Sequence, residues 1–373
     1  MACVATFGVR ALNRTLLARQ FLDDRVPLTA LEAVEHLVAV QGQFPNSPYI
    51  GLWARVTSFR RDDLAALLED RKVVRSITLR RTVHLSSSED FAWLRPVAQP
   101  VVRNALQSAF YAEAIEGLDL DELRRAGREL LTGKPLTRKA FGSLLAERFP
   151  GRHGGRLVDT VEVLEALVHA PRNGAWGGWR HPSNVAVALA EEQTGLPMSE
   201  ERRLETLVRR YLAAFGPASV MDVQAWSGLT RLREPIEAMR PALRVSRGED
   251  GKELFDLPDA PLGDPDRPVP VRFLPAFDNA LLGHRDRTRI ISEADRKRYA
   301  AGASGGVPMF LVDGFAAGTW SVQGGTVTVT PTRPLREADA AAVHEAGSRL
   351  LEFILPDEPD RRIVFADAVE EAR

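Results

Sequence analysis

Residues 204–239 read LETLVRRYLAAFGPASVMDVQAWSGLTRLREPIEAM, and residues 243–257 read LRVSRGEDGKELFDL. Leu204 to Phe215 carries apolar residues at helical spacing, Gly216-Pro217 interrupts it, Ala218 to Trp226 resumes it, and Ser227-Gly228-Leu229 turns tightly into Thr230 to Met239. Leu243 to Ser246 and Glu253 to Leu257 flank the charged turn Gly248-Glu249-Asp250-Gly251 and read as a hairpin. Helix, turn, helix and hairpin is the order of a winged helix, a module that binds DNA in many proteins and other proteins in some.

Working outward, the same order recurs twice upstream in degenerate form. In the first copy a helix covers Ala11 to Phe21, and a second starts at Thr29, with Glu32 three residues on as a capping box. Further helices fit Tyr49 to Val56 and Arg61 to Glu69, and strands Val73 to Leu79 and Thr82 to Ser86 meet at Arg80-Arg81. In the middle copy helices fit Leu136 to Arg148 and Asp159 to Ala170, and a glycine-broken strand pair surrounds Gly177-Gly178. Downstream, Pro258 to Pro270 reads as a linker. Strands at Val271 to Leu274 and Met309 to Val312, a hairpin over Ala317 to Thr330 turning at Gly324-Gly325, a helix from Arg336 to Leu355 and a strand at Arg361 to Phe365 complete the chain. The expected class is α+β: three tandem winged-helix units and a C-terminal mixed β region, divided as 1–112, 113–198, 199–262 and 263–373.

The chain has 373 residues, 45% hydrophobic and 27% charged, the balance of a folded globular protein. No run approaches the roughly 18 apolar residues of a bilayer span, and Met1 to Arg10 has no secretory pattern. The expected location is therefore cytoplasmic and nucleoid-associated, without membrane contact. Cys3 is the single cysteine, so a disulfide framework or cysteine-based zinc site is not expected. Basic and acidic residues nearly cancel, at 49 and 50. Lysine is confined to Lys72, Lys134, Lys139, Lys252 and Lys297, so arginine supplies nearly all the positive charge. Arginine suits phosphate; a GC-rich genome gives the same bias, and net charge argues neither for nor against DNA.

Phosphate loops, the nucleophile elbow, zinc-protease helices and zinc-deaminase signatures are all missing, which removes nucleotide hydrolysis, serine hydrolase and metalloprotease chemistry. The seven histidines show no ligand spacing, so no metal is expected, and Asp62-Asp63 sits where acids complement a helix N-terminus. What remains is Gln41-Gly42-Gln43 before Pro45. In extended chain, positions i and i+2 face one side, so two amides converge on one small target, and the glycine leaves room for a close ligand. Two glutamines after a helix serve equally as capping or solvated groups.

Val40-Gln41-Gly42-Gln43, three winged-helix-like units, Leu274-Pro275-Ala276-Phe277-Asp278-Asn279 and Gly283-His284-Arg285-Asp286-Arg287 together resemble the winged-helix DNA glycosylase superfamily over nearly the whole chain. The Gln-x-Gln form is similar to the AlkZ branch; the YcaQ branch has aspartate where Gln43 stands. The resemblance implies excision of N7-alkylated guanines and unhooking of interstrand crosslinks, with Gln41 and Gln43 as the catalytic pair.

An N7-alkylguanine already carries positive charge and leaves as a neutral base, so no acid need protonate it. Oriented amides that hold water against C1′ suffice. None of the five lysines adjoins the motif, which predicts a monofunctional enzyme without cofactor. The expected partner is double-stranded DNA bearing an alkylated purine, bound by a monomer through phosphate contacts. Candidates for DNA contact are Asn46, Arg80, Arg81, Arg138, Lys139, Arg180, His181, His284, Arg285 and Arg287, with Arg289 beside them. Two rivals use the same fold without chemistry: an operator-binding regulator reading bases through Thr230 to Met239, and a protein-interaction scaffold.

Overall fold

The computed structural model describes residues 5–170, 185–303 and 306–368. Its strands are β1 (Thr6–Phe7), β2 (Val40–Gln41), β3 (Val73–Ile77), β4 (Val83–Ser87), β5 (Leu136–Thr137), β6 (Leu167–His169), β7 (Ala186–Leu189), β8 (Arg244–Gly248), β9 (Glu253–Asp256), β10 (Arg272–Leu274), β11 (Met309–Val312), β12 (Phe315–Gln323), β13 (Thr326–Pro331) and β14 (Arg362–Phe365). They form three sheets among many helices, an α+β fold.

The first sheet runs β2-β4-β3-β6-β7-β5, antiparallel throughout. Hairpin β3–β4 follows helices Ala30–Leu37, Ser47–Trp53 and Arg61–Glu69, while β6 and β7 belong to helices Leu120–Leu131, Arg138–Arg148 and Gly154–Leu164. Arg75 pairs with His169 across the two halves, so one sheet fuses both segments. The second sheet, β1-β8-β9, caps helices Leu204–Phe215, Val220–Ser227 and Arg233–Met239; the third, β10-β11-β12-β13-β14, packs on helix Glu337–Ile354.

Local signals account for several boundaries. Thr29 and Glu32 form the expected capping box. Gly228 ends helix Val220–Ser227 in the left-handed conformation (φ 79°), the tight turn expected there. The helix expected over Asp159 to Ala170 runs instead from Gly154 to Leu164. Leu167 to His169 then becomes β6, because the apolar Leu167-Val168 pair is buried by pairing with β7. Of the strand pair expected around Gly177-Gly178, over Ala175 to Leu189, residues 175–184 lie outside the described residues and Ala186–Leu189 is β7, paired with β6.

The Pro258–Pro270 connection is pinned along helix Val9–Arg19. Arg10 Nε donates to the Pro265 carbonyl at 2.7 Å, Arg14 Nε to Arg267 at 2.7 Å and Arg19 Nε to Pro261 at 3.0 Å. A single apolar core joins Leu16, Trp93, Tyr211, Phe215, Trp226, Leu274 and Ile290 from the N-terminal, third and C-terminal segments, which places the tip of hairpin β3–β4 against helix Val220–Ser227.

Candidate active site

Helix Ala30–Leu37 ends at Val38, whose left-handed backbone (φ 65°) turns the chain outward into β2, the edge strand of the first sheet. Gln41 lies opposite His84 there, and the Gly42 N–H donates to the Val83 carbonyl at 2.8 Å. The strand ends at Gln41, which is buried, and Gln43 follows in a bend that faces solvent. A Cβ at Gly42 would come within 2.6 Å of Leu85 Cδ1, so the glycine serves packing against Leu85. The ligand space expected at Gly42 is therefore occupied by the core.

The peptide between the two glutamines is anchored from below. The Gly42 carbonyl accepts from Arg75 Nε at 3.1 Å and Nη2 at 2.8 Å. Arg75 is buried and also contacts His169 Nδ1; His169 Nε2 lies 3.8 Å from Glu162, which pairs with Arg138. Burial, reinforced by the charge of Arg75, pushes His169 down to about 4, so its imidazole is neutral at physiological pH.

Gln41 is only 4% exposed, and its Oε1 accepts from Arg80 Nη2 at 2.8 Å. A guanidinium only donates, so this bond fixes the amide with oxygen toward Arg80 and NH2 away from it. Arg80 also donates through Nη1 to the Trp226 carbonyl at the end of helix Val220–Ser227. Its Nη2 lies 3.3 Å from His84 Nε2. His84 Nδ1 donates to the Thr82 carbonyl at 2.9 Å, which leaves Nε2 as the acceptor for Arg80. Burial, with the charge of Arg80, pushes His84 down to about 3. Arg80 itself is lowered to about 10, by burial first and the charge of Arg287 second, and stays cationic.

Arg80 reaches this position because it and Arg81 take left-handed backbone at the hairpin tip (φ 51° and 59°), an arrangement that costs strain in non-glycine residues. Gly228 packs directly on that turn: a Cβ there would sit 3.0 Å from Arg80 Cα.

Gln43 is exposed, its Oε1 accepting from the Val83 N–H at 3.5 Å, and Phe44 beyond it is 53% exposed. Asn46 precedes helix Ser47–Trp53 and its carbonyl accepts the Ile50 N–H at 3.2 Å.

The structure thus brings Gln41, Gln43, Arg80 and Arg287 to one region and disperses the other sequence candidates. Arg81 is exposed at the hairpin tip. Arg138 pairs with Asp159 and Glu162, whereas neighbouring Lys139 is exposed; both line a cleft of about 1110 Å³ with Arg152 and Arg156. Arg180 and His181 lie outside the described residues. His284 is interior, 2% exposed, between Tyr211 and Phe215, and burial pushes it down to about 3. Arg285 is exposed, its N–H donating to Asp222 at 2.9 Å, and Arg289 is buried on the Pro217 carbonyl at 2.9 Å. Arg285 and Arg287 border a cavity of about 1330 Å³ beside β8–β9. Sequence reasoning missed Arg75 and His84. A lone cation inside the apolar strand Val73-Val74-Arg75 is the signal that marks the first.

A family model described as DNA glycosylase AlkZ-like matches residues 34–353. An interstrand DNA cross-link repair glycosylase of Streptomyces sahachiroi is 23% identical over 372 residues, covering 88% of this chain and 93% of the relative. The solved structure of Streptomyces sahachiroi DNA glycosylase AlkZ superposes with a TM-score of 0.76 at 20% identity, covering 97% of this chain and all of that one, and so shares the fold. With the match spanning residues 34–353, the chain belongs to the AlkZ-like DNA glycosylase family.

Proposed function

We propose that the chain is a monofunctional DNA glycosylase that removes cationic N7-alkylated purines from double-stranded DNA by attack of water at C1′, and that the same site unhooks an interstrand crosslink. The cross-link repair named for the Streptomyces relative supports the second part. An operator-binding regulator is not favoured for a member of this family.

The observation that carries the reading is the lining around Gln41. It consists of two amides, a guanidinium that is cationic at neutral pH and a histidine held neutral, which is equipment for orienting amides and water rather than for moving protons. The two amides divide the work. Gln41, its oxygen held by Arg80, offers NH2 to a sugar or phosphate oxygen. Gln43 stands in solvent with its carbonyl only loosely engaged, free to accept a hydrogen bond from the attacking water. As the glycosidic bond breaks its electrons go to the base, which leaves as a neutral molecule, while the water adds to the oxocarbenium-like C1′ and loses its proton to bulk solvent, leaving an abasic sugar.

Duplex DNA is contacted through the exposed Arg81, Lys139 and Arg285 and through Arg287, with Asn46 three residues after Gln43. The layout that accompanies this reading is a monomer of three winged-helix units, 1–112, 113–198 and 199–262, and an α+β region, 263–373. The repeated order of three helices and a hairpin supports it.

The test is release of free base from duplex DNA carrying N7-methylguanine. Gln41→Ala with Gln43→Ala is expected to lower the single-turnover rate by about 10²- to 10³-fold, the scale of losing oriented dipoles. Full release by the double variant overturns the catalytic pair, and a borohydride-trapped adduct overturns the monofunctional route.

A further inference from the structure

The segment Leu274-Pro275-Ala276-Phe277-Asp278-Asn279 is anchored to the glutamine strand on its far side. Asn279 Nδ2 donates to the Ala39 carbonyl at 2.8 Å, two residues before Gln41. Asp278 accepts from Arg55 Nη1 and Nη2, both at 2.8 Å, in a buried bidentate pair. Between these anchors Phe277 is left-handed (φ 64°), rare for a bulky side chain and strained. The ring meets Phe44, centroids 5.7 Å apart and planes tilted by 36°. A Cβ on Gly306 would lie 2.3 Å from Phe277 Cζ, so the outer edge of the ring abuts a residue that has no room for a side chain there.

An exposed phenylalanine directly after Gln43, backed by a second ring whose strained backbone is fixed by buried polar bonds, is not explained by core packing: neither Phe44 nor Phe277 belongs to a core cluster among the described residues. Nor does the amide chemistry need it. Near the glutamines the fixed charges are positive, from Arg80 and Arg287, and the hydrogen-bond partners of Gln41, Gln43 and Arg80 among the described residues include no carboxylate. A cationic base arriving there is repelled by both guanidiniums. Only neutral, electron-rich surfaces attract it, and an aromatic face is one.

We propose that Phe44 and Phe277 form the platform on which the lesion base stacks, and that their ring faces select cationic N-alkylated purines over neutral bases of the same shape. The proposal rests on the glycosylase reading and adds the residues that recognise the charge. It also requires the base to leave the duplex stack, since a paired base offers no face to a side chain.

The experiment compares affinity for two duplexes, one carrying 2′-fluoro N7-methylguanine, cationic and resistant to cleavage, the other carrying 7-deaza-7-methylguanine, its neutral isostere. The wild-type chain is expected to prefer the cation. Phe44→Leu and Phe277→Leu, which keep apolar bulk without the ring, are each expected to reduce that preference by about fivefold, the scale of one solvent-exposed cation–π contact. Phe44→Trp is expected to retain or raise it. Near-UV circular dichroism and thermal melting check folding, and Phe44, being exposed, gives a readout independent of Phe277. An unchanged preference in both leucine variants, or none in the wild type, overturns the proposal. Base release from ordinary N7-methylguanine duplex by the wild type is measured alongside. Release with unaltered preferences sinks the platform alone, and absence of release sinks the glycosylase reading with it.

Discussion

Hairpins β3–β4 and β8–β9 each follow three helices, yet they dispose their charges in opposite ways. At the tip of β3–β4, Arg80 folds back to Gln41, His84 and the Trp226 carbonyl, and among the described residues no acid pairs with it. At the tip of β8–β9, Lys252 lies 2.6 Å from Asp250 and 3.2 Å from Asp286, while Arg240 bridges Glu237 and Glu253. The first hairpin keeps beside the motif a cation whose hydrogen-bond partners include no carboxylate; at the second, Lys252, Arg240 and Arg244 are held in ion pairs, and Arg247 is exposed. The order of elements therefore does not say which hairpin works on DNA. The partners of its cations do.

The contrast is broken most directly at Arg80. Arg80→Met leaves the Gln41 amide free to rotate, and the single-turnover rate of N7-methylguanine release is expected to fall by about 10- to 100-fold, the scale of misplacing a positioned group. Lesion affinity should fall less than the rate, and Arg80→Lys, with one donor direction restored, should recover part of it. Equal losses in rate and affinity would make Arg80 a phosphate contact rather than a positioning residue.

The limits of the sequence follow from the same geometry. The capping box at Thr29 and the turn at Gly228 are local and legible, because neighbouring residues alone decide them. Helix Ser88–Arg103 is hidden by Pro96 and Pro100, which read as breakers although the helix runs through both, packed into the central core. Arg14, Arg19, Arg55, Arg75 and Arg95 are buried on carbonyls or carboxylates, so part of the arginine excess is structural, and a charge census has no means of separating these from the exposed Arg81 and Arg285. The glutamines are visible as a motif, but the bond that gives each a different role comes from a residue 39 positions away.

Acid sharpens the comparison. His84 sits on β4 with its pKa lowered to about 3, and His169 on β6 lowered to about 4; β8–β9 carries no histidine. Below the ordinary imidazole value near 6.5 the unfolded chain binds protons that the folded sheet excludes, so stability falls as pH drops from there toward the folded values. At pH 5 each histidine is expected to weaken its sheet by roughly 2 kcal/mol relative to pH 7. Amide hydrogen exchange, corrected for intrinsic rates, should show β3–β4 and β6 opening more readily at pH 5, and helix Leu204–Phe215 as well, because His284, buried against Tyr211 and Phe215, is lowered to about 3. Base release, lacking a titrating group in that range, should stay level wherever the fold holds.

The smallest effect tests the other side of the contrast. Lys252→Ala removes a cation from the wing, but that cation is shared between Asp250 and Asp286, so a DNA phosphate would have to displace a carboxylate to reach it. Exposed pairs of this kind contribute little to stability, and a neutralised cation releases few counterions on binding. The dissociation constant for N7-methylguanine duplex should therefore change by less than about twofold, and the slope of log affinity against log salt should not move. Arg81→Ala, on the hairpin that carries Arg80, should lower the slope by about one unit. A wing variant with the larger effect would place the duplex across β8–β9, and the two hairpins would then share the work that their charges divide.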